Sequence, residues 1–291
     1  MPQKSMAKDT FLNRKRTLNS KGQLLEIAKP WVMAILNLTP DSFYTESRNT
    51  SVEAALQSVE TFLSEGADCI DLGAYSSRPG AIDIPVQEEL DRLIPVIKAI
   101  KEKFPEAILS IDTFRSEVAE AAIHAGAHII NDISAGTLDP NMFALVARLQ
   151  VPYIMMHMKG TPQDMKAQAE YDNIELELID YFSEKIAQLR ALGVKDIILD
   201  PGFGFAKTTA HNYELLSRLE DFKIFELPIL VGVSRKSMVY LPLESNAAEA
   251  LNGTTVLHTI ALMKGANILR VHDVKEAREC ITLIEKLGQY A

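Results

Sequence analysis

Residues 197–207 read IILDPGFGFAK, and this stretch decides how the rest of the chain is read. A β-branched apolar run, Ile197-Ile198-Leu199, stops abruptly at an acid, Asp200, and continues into Pro201 and two glycines. A buried parallel strand reads this way when it ends at a functional edge: apolar inside, a charge at the carboxyl end, then a permissive loop. Taken alone, the same letters also describe a solvated turn after an ordinary strand. Repetition separates the two readings.

Outward from this stretch the design recurs. Strands are expected at Val32–Leu38, Cys69–Tyr75, Ile108–Thr113, Ile129–Ser134, Pro152–His157, Ile197–Gly202, Pro228–Ser234 and Asn267–Asp273. Amphipathic stretches of helical period lie between them at Ser51–Glu65, Pro85–Lys103, Arg115–Ala125, Asn141–Gln150, Tyr171–Leu192, His211–Leu219 and Ala247–Met263, and Val274–Leu287 closes the series. Thr50 or Ser51 caps the first helix in this reading, and Pro85 with Glu88 and Glu89 opens the second. Gly66, Gly126, Gly193 and Gly265 follow helix ends. Upstream, Thr17–Ile27 with Lys21-Gly22 at its middle reads as a hairpin capping the core, and residues 1–16 as a flexible tail.

Eight strands alternating with eight helices is the count of a (β/α)8 barrel, so the fold expected is α/β: a single TIM barrel over residues 1–291 with a short N-terminal hairpin. A doubly wound open sheet is the runner-up. It lacks a glycine-rich dinucleotide turn after the first strand. Each expected strand ends in a polar residue: Asn37, Asp71, Asp112, Asn131, His157, Asp200, Ser234 and Arg270. In a barrel all the carboxyl ends share one mouth, so these residues converge there.

Composition narrows the function. The chain has 291 residues, 47% of them hydrophobic, and a formal net charge of −9. Such an acidic balance argues against nucleic acid or an anionic membrane surface as partner. Cys69 and Cys280 lie far apart, and no apolar run approaches the ~20 residues of a bilayer span. The expectation is a soluble, reduced, cytoplasmic protein. At the mouth, Asp112 and Asp200 are acceptors for paired N–H groups, and Asn131 both accepts and donates. Lys236, Arg270 and His272 supply donors and cations. A flat nitrogen heterocycle with a guanidine-like edge suits the acids, and a phosphate or pyrophosphate suits the cations.

Eight short motifs occur in order: NLTPDSF (37–43), SSRPGA (76–81), SIDT (110–113), NDISAG (131–136), HMKGTP (157–162), DPGFGFAK (200–207), GVSRKSM (232–238) and RVHDV (270–274). In this order, each at a strand end, they resemble the dihydropteroate synthase family from about Leu18 onward. The resemblance implies a pterin-binding barrel that condenses 6-hydroxymethyl-7,8-dihydropterin pyrophosphate with p-aminobenzoate, using Mg²⁺ and commonly working as a homodimer through its late helices. It implies pterin binding by Asp112, Asn131, Met156, Asp200, Phe205, Lys236 and Arg270. It further implies pyrophosphate binding by Asn37, Ser77, Arg270 and His272, with Asn37 the metal ligand. Phe43, Ser77, Arg78, Pro79 and Ser237 would meet p-aminobenzoate. Asp112, Arg270 and His272 would be catalytic.

Two stretches depart from the family pattern. After DSF the family usually continues with a small residue, an acid and glycines, where this chain has Tyr44-Thr45-Glu46-Ser47-Arg48. Tyr75-Ser76 precede Ser77 where the family often has glutamate, serine and threonine. Two other classes share features with this reading. A corrinoid-linked methyltransferase has no use for a pyrophosphate site. A non-catalytic pterin-binding paralogue would be expected to lose Asn37, Lys236 or Arg270, and all three are present.

Overall fold

The computed structural model describes residues 16–38, 48–75 and 83–289. Two antiparallel strands, β1 (Arg16–Ser20) and β2 (Gln23–Ile27), form the expected hairpin. Lys21 and Gly22 turn it with φ of 50° and 91°. Positive φ at both central residues is the turn whose twist matches the flanking strands.

Eight parallel strands follow: β3 (Trp31–Asn37), β4 (Cys69–Gly73), β5 (Leu109–Asp112), β6 (Ile129–Asp132), β7 (Tyr153–Met156), β8 (Ile197–Asp200), β9 (Leu230–Val231) and β10 (Ile268–Val271). Their spatial order is β8-β7-β6-β5-β4-β3-β10-β9. A parallel bridge from Leu199 to Ile229, with the Leu199 N–H donating to the Pro228 carbonyl at 2.9 Å, joins β8 to β9 and completes the ring. The expected barrel is the observed architecture. The strand cores read as apolar runs because helices cover their outer face and side chains fill the inner one.

The two-residue period of a strand divides each run between these faces. Outward residues such as Val32, Ala34, Leu36, Ile70, Leu72 and Ile130 join the large cluster beneath the helices. Inward residues Met33, Cys69, Ile129, Ile154, Ile198, Leu230 and Ile268 form a separate plug with Leu18, Leu25 and Ile27 of the hairpin. The hairpin therefore seals the base. Two positions further along, the same inward face carries Asp71 on β4, Asn131 on β6, Asp200 on β8 and Arg270 on β10, with Met156 on β7. An apolar floor with a polar layer above it follows from one register.

Helix faces follow the same logic. In Val86–Lys103 the buried positions are Glu89, Leu93, Val96, Ile97 and Ile100, one stripe at helical spacing. Several expected ends shift. The first helix spans Arg48–Ser64 and not Ser51–Glu65, so Thr50 and Ser51 lie inside it. The fifth runs Ile174–Ala191, starting where the Asn173 side chain accepts from the Leu176 N–H. The stretch expected as one helix from Ala247 is divided: Asn246 caps a 3₁₀ turn at Ala247–Glu249, and the α-helix begins at Leu251 and runs to Met263. The Asn173 and Asn246 side chains set two of these starts by capping, which apolar periodicity cannot see. Of the tail expected over 1–16, only Arg16 is described, and it opens β1.

Candidate active site

The site begins with Asp71, the one charged residue of the β4 sequence CIDLG and 0% exposed. Its Oδ2 accepts from Arg270 Nε of β10 at 2.6 Å and from Asn131 Nδ2 of β6 at 3.0 Å. Arg270 Nη2 reaches on to Asp112 Oδ2 of β5 at 2.7 Å. Four strands thus deliver two carboxylates, a guanidinium and an amide to one point. Burial works against the charge on Arg270, but Asp71 and Asp112 outweigh it and hold the guanidinium above its ordinary pKa range. Burial raises the carboxyl of Asp112, with Arg270 opposing and Asp71 adding to the rise.

Asp200, 6% exposed, ends β8 and accepts from the Gly202 N–H through Oδ1 at 2.8 Å. Burial raises its pKa, with Lys236 opposing. Lys236 leans over the Phe205 ring at 4.7 Å and donates to the Phe203 carbonyl. Burial lowers its pKa to about 8, against the pull of Asp200. Met156 and Phe205 join Phe114, Ile133, Met158, Met165 and Ala206 in a compact apolar cluster above the barrel floor. Met155, one residue earlier, points outward into the large core.

At the β10 end, the His272 N–H donates to Ser234 Oγ at 3.2 Å, and that same oxygen lies 3.0 Å from His272 Nδ1. The Ser234 hydroxyl has one proton and two lone pairs, so it serves the His272 backbone N–H and pairs with Nδ1 in either tautomer of the ring. Burial, and then Arg270, lower the His272 pKa to about 4, so the ring is neutral near pH 7. Arg235, at φ 53°, grips Asp273 with two bonds of 2.8 and 2.7 Å and the carbonyls of Ala247 and Ala248 at 3.0 and 2.9 Å. This clamp fixes the turn that presents Lys236 and Ser237, the latter opening a short helix, Ser237–Tyr240.

Asp112, Asn131, Met156, Asp200, Phe205, Lys236, Arg270 and His272 therefore gather at one mouth. Asn37, half-buried, ends β3 in register with Gly73 on the same rim. Phe43, Ser77, Arg78 and Pro79, with both variant loop segments 44–47 and 76–77, lie outside the described residues. Tyr75 is described: its ring meets Phe114 edge-on at 5.0 Å, and its hydroxyl accepts from Gln163 Nε2 at 3.3 Å. Sequence reasoning placed Asp71 and Ser234 at the mouth as strand-end polar residues without assigning them partners, and met Arg235 only inside a motif. For Asp71 the signal was present, a lone charge inside an apolar strand. His128 is a core residue whose Nδ1 accepts from the Leu109 N–H at 3.1 Å.

A protein-family model described as pterin binding enzyme matches residues 33–272, from the first barrel strand to the last. Dihydropteroate synthase from Escherichia coli strain K12 is 43% identical over 270 residues, covering 92% of this chain and 95% of that one. The chain belongs to the dihydropteroate synthase family. A solved family member, Yersinia pestis dihydropteroate synthase in a sulfonamide drug complex, superposes with a TM-score of 0.88 at 41% identity, over 94% of this chain and 100% of that one. The Xanthomonas albilineans dihydropteroate synthase solved with 4-aminobenzoic acid gives a TM-score of 0.87 at 38% identity, covering 94% of this chain and 98% of that one. Family membership and the mouth geometry rest on separate observations, one on whole-chain similarity and the other on side chains.

Proposed function

We propose that this chain condenses 6-hydroxymethyl-7,8-dihydropterin pyrophosphate with p-aminobenzoate to give 7,8-dihydropteroate and pyrophosphate. The observation that carries this reading is the mouth itself. Asp112 and Asp200 stand with Lys236, Arg270 and His272 at the strand ends, beside the apolar cluster that includes Met156 and Phe205. Asp200 takes the amino and ring N–H edge of the pterin. Asn131 and Lys236 bond its other edges, and Met156 and Phe205 sandwich the ring. Arg270 lies across the pterin face and, with the His272 ring, holds the pyrophosphate. Ser237 contacts the p-aminobenzoate carboxylate, with Phe43, Ser77, Arg78 and Pro79 closing over the arylamine.

In the reaction, the bond between the pterin methylene carbon and the pyrophosphate oxygen breaks, and its electron pair leaves with the oxygen. Arg270 and His272 stabilise the charge that grows there. The electron-rich ring then carries a methylene cation, which the Asp112 carboxylate stabilises electrostatically. The arylamine nitrogen attacks that carbon and sheds a proton to solvent, so no protein nucleophile is needed. Among the described residues no group of three or more His, Cys, Asp or Glu is arranged to hold a metal. A single amide oxygen at Asn37 fits Mg²⁺, which keeps several waters and binds largely through substrate phosphates. When bound, it would neutralise pyrophosphate charge.

The same reading includes a homodimer through the late helices. It is supported by the exposed apolar residues Val256, Ile260 and Met263 on one helix and Leu283 and Leu287 on the next. Among the described residues no helix is long and apolar enough to cross a membrane, and we place the enzyme in the cytoplasm. The test is pyrophosphate release from the pterin substrate and Mg²⁺, with and without p-aminobenzoate. Release coupled to dihydropteroate formation supports the synthase. Tight pterin binding without release would mark a non-catalytic paralogue.

A further inference from the structure

Lys207 ends the stretch that organises the chain, yet the reaction above leaves it unused. The backbone leaves β8 at Asp200 and coils through Gly202, Gly204 and Ala206, with φ of 72°, 82° and 47°. Lys207 Nζ sits behind this turn. It donates to the carbonyls of Gly202 and Phe205, each at 3.0 Å, and to that of His157 at 3.4 Å, and lies 3.0 Å from His157 Nδ1. Burial lowers its pKa to about 7, with Asp200 opposing. The turn is pressed hard against the end of β7: a Cβ on Gly202 would stand 2.0 Å from the His157 carbonyl oxygen and 3.3 Å from Lys207 Nζ.

On the opposite side Lys236 donates to the Phe203 carbonyl. The turn is therefore held between two ammonium groups. One of them, Lys236, belongs to the substrate pocket. A ligand that recruits Lys236 competes with Phe203 for its three N–H groups, whereas the contacts of Lys207 are all to the turn and to His157.

We infer that Lys207 is a positioning residue of the pterin pocket, which keeps the Asp200 carboxylate and the Phe205 ring in place when Lys236 engages substrate. The inference rests on the pterin reading given above. It concerns the pterin half of the site, because two of the carbonyls that Lys207 grips, those of Gly202 and Phe205, belong to the turn that carries Asp200 and Phe205, and the third belongs to His157 at the end of β7.

Wild-type enzyme, Lys207→Met and Lys207→Arg are compared by steady-state kinetics well below their melting temperatures. Lys207→Met keeps most of the stem but has no donor, and should raise KM for the pterin pyrophosphate about tenfold or more. KM for p-aminobenzoate should stay within about twofold and kcat within about threefold. Lys207→Arg, which restores N–H donors, should recover a large part of the pterin KM. An unchanged pterin KM, an equal rise in both KM values, or no recovery with Arg overturns the inference. If Lys207→Met does not fold, Lys207→Gln replaces it, read by hydrogen exchange. The Phe205 amide, which donates to Gly202 at 3.1 Å, should then exchange about tenfold faster while β7 amides hold their rate. Unchanged Phe205 exchange overturns the inference too. Failure of the pterin reading would look different, as wild-type protein would neither bind pterin nor release pyrophosphate.

Discussion

Arg270 and Asp71 are separated by 199 residues, yet Arg270 Nε donates to Asp71 Oδ2 at 2.6 Å on the inner wall of the barrel. The same oxygen takes Asn131 Nδ2, so one buried carboxylate orients two of the groups that face the pterin slot. A buried charge of this kind is costly to strand without its partner. Asp71→Ala is expected to destabilise the protein by about 3–5 kcal/mol and to lower kcat/KM for the pterin substrate. Denaturant unfolding and steady-state kinetics on one preparation check both effects.

Asp112 differs from Asp71 in that it shares Arg270 but stands at the open end of the layer. If it stabilises the methylene cation, the interaction is worth most in the transition state. Asp112→Asn should then lower kcat about a hundredfold or more while pterin affinity, measured by calorimetry, changes much less. Equal losses in both would make Asp112 a binding residue only.

Lys236 gives a pH signature with opposite signs for activity and stability. Burial holds its ammonium at a pKa of about 8 in the folded protein, against an ordinary lysine value of 10.5. The unfolded chain therefore holds more protons between those values, and this group's contribution to stability rises as pH climbs through that window. Pterin binding through the proposed Lys236 contact should fall over the same range. In Lys236→Arg the cation persists, so kcat/KM, though lower, should lose the alkaline limb near pH 8. A limb that survives in Lys236→Arg would assign it to another group.

Arg235 holds the turn after β9 through the two oxygens of Asp273 and two carbonyls at once. A lysine cannot reproduce that planar fork. Arg235→Lys is expected to raise KM for p-aminobenzoate several-fold through looser placement of Ser237, and to cost about 1–3 kcal/mol in stability. A thermal melt that falls with both KM values unchanged would confine Arg235 to the fold.

The base of the barrel supplies the contrast. Leu25, 3% exposed, is packed in the plug that closes the floor. Leu25→Ala should cost about 2–5 kcal/mol and leave both KM values as they were, because the plug and the mouth occupy opposite ends of the strands. Urea midpoints compared with kinetics at low temperature distinguish the two effects.

Taken alone, the sequence determined the barrel, the hairpin beneath it and the inventory of the mouth. The reason is periodicity: alternation along strands, 3.6-residue faces on helices and a polar residue at each strand end are local properties that read directly from neighbouring letters. Asp112, Asn131, Asp200, Lys236 and Arg270 were legible as site residues for that reason. What those residues do to one another was not. Asp71 reads as one more strand-end acid until β4 lies beside β5 and β10 comes round to β3, when it becomes the anchor of Arg270 and Asn131. Arg235 reads as a surface cation until the β9 turn meets Asp273. The starts at Ile174 and at the Ala247 turn were misplaced because the Asn173 and Asn246 caps that settle them are a few hydrogen bonds that leave no period behind. Only the closed ring of strands brings charges 158 and 199 residues apart to within 2.7 Å of a shared guanidinium.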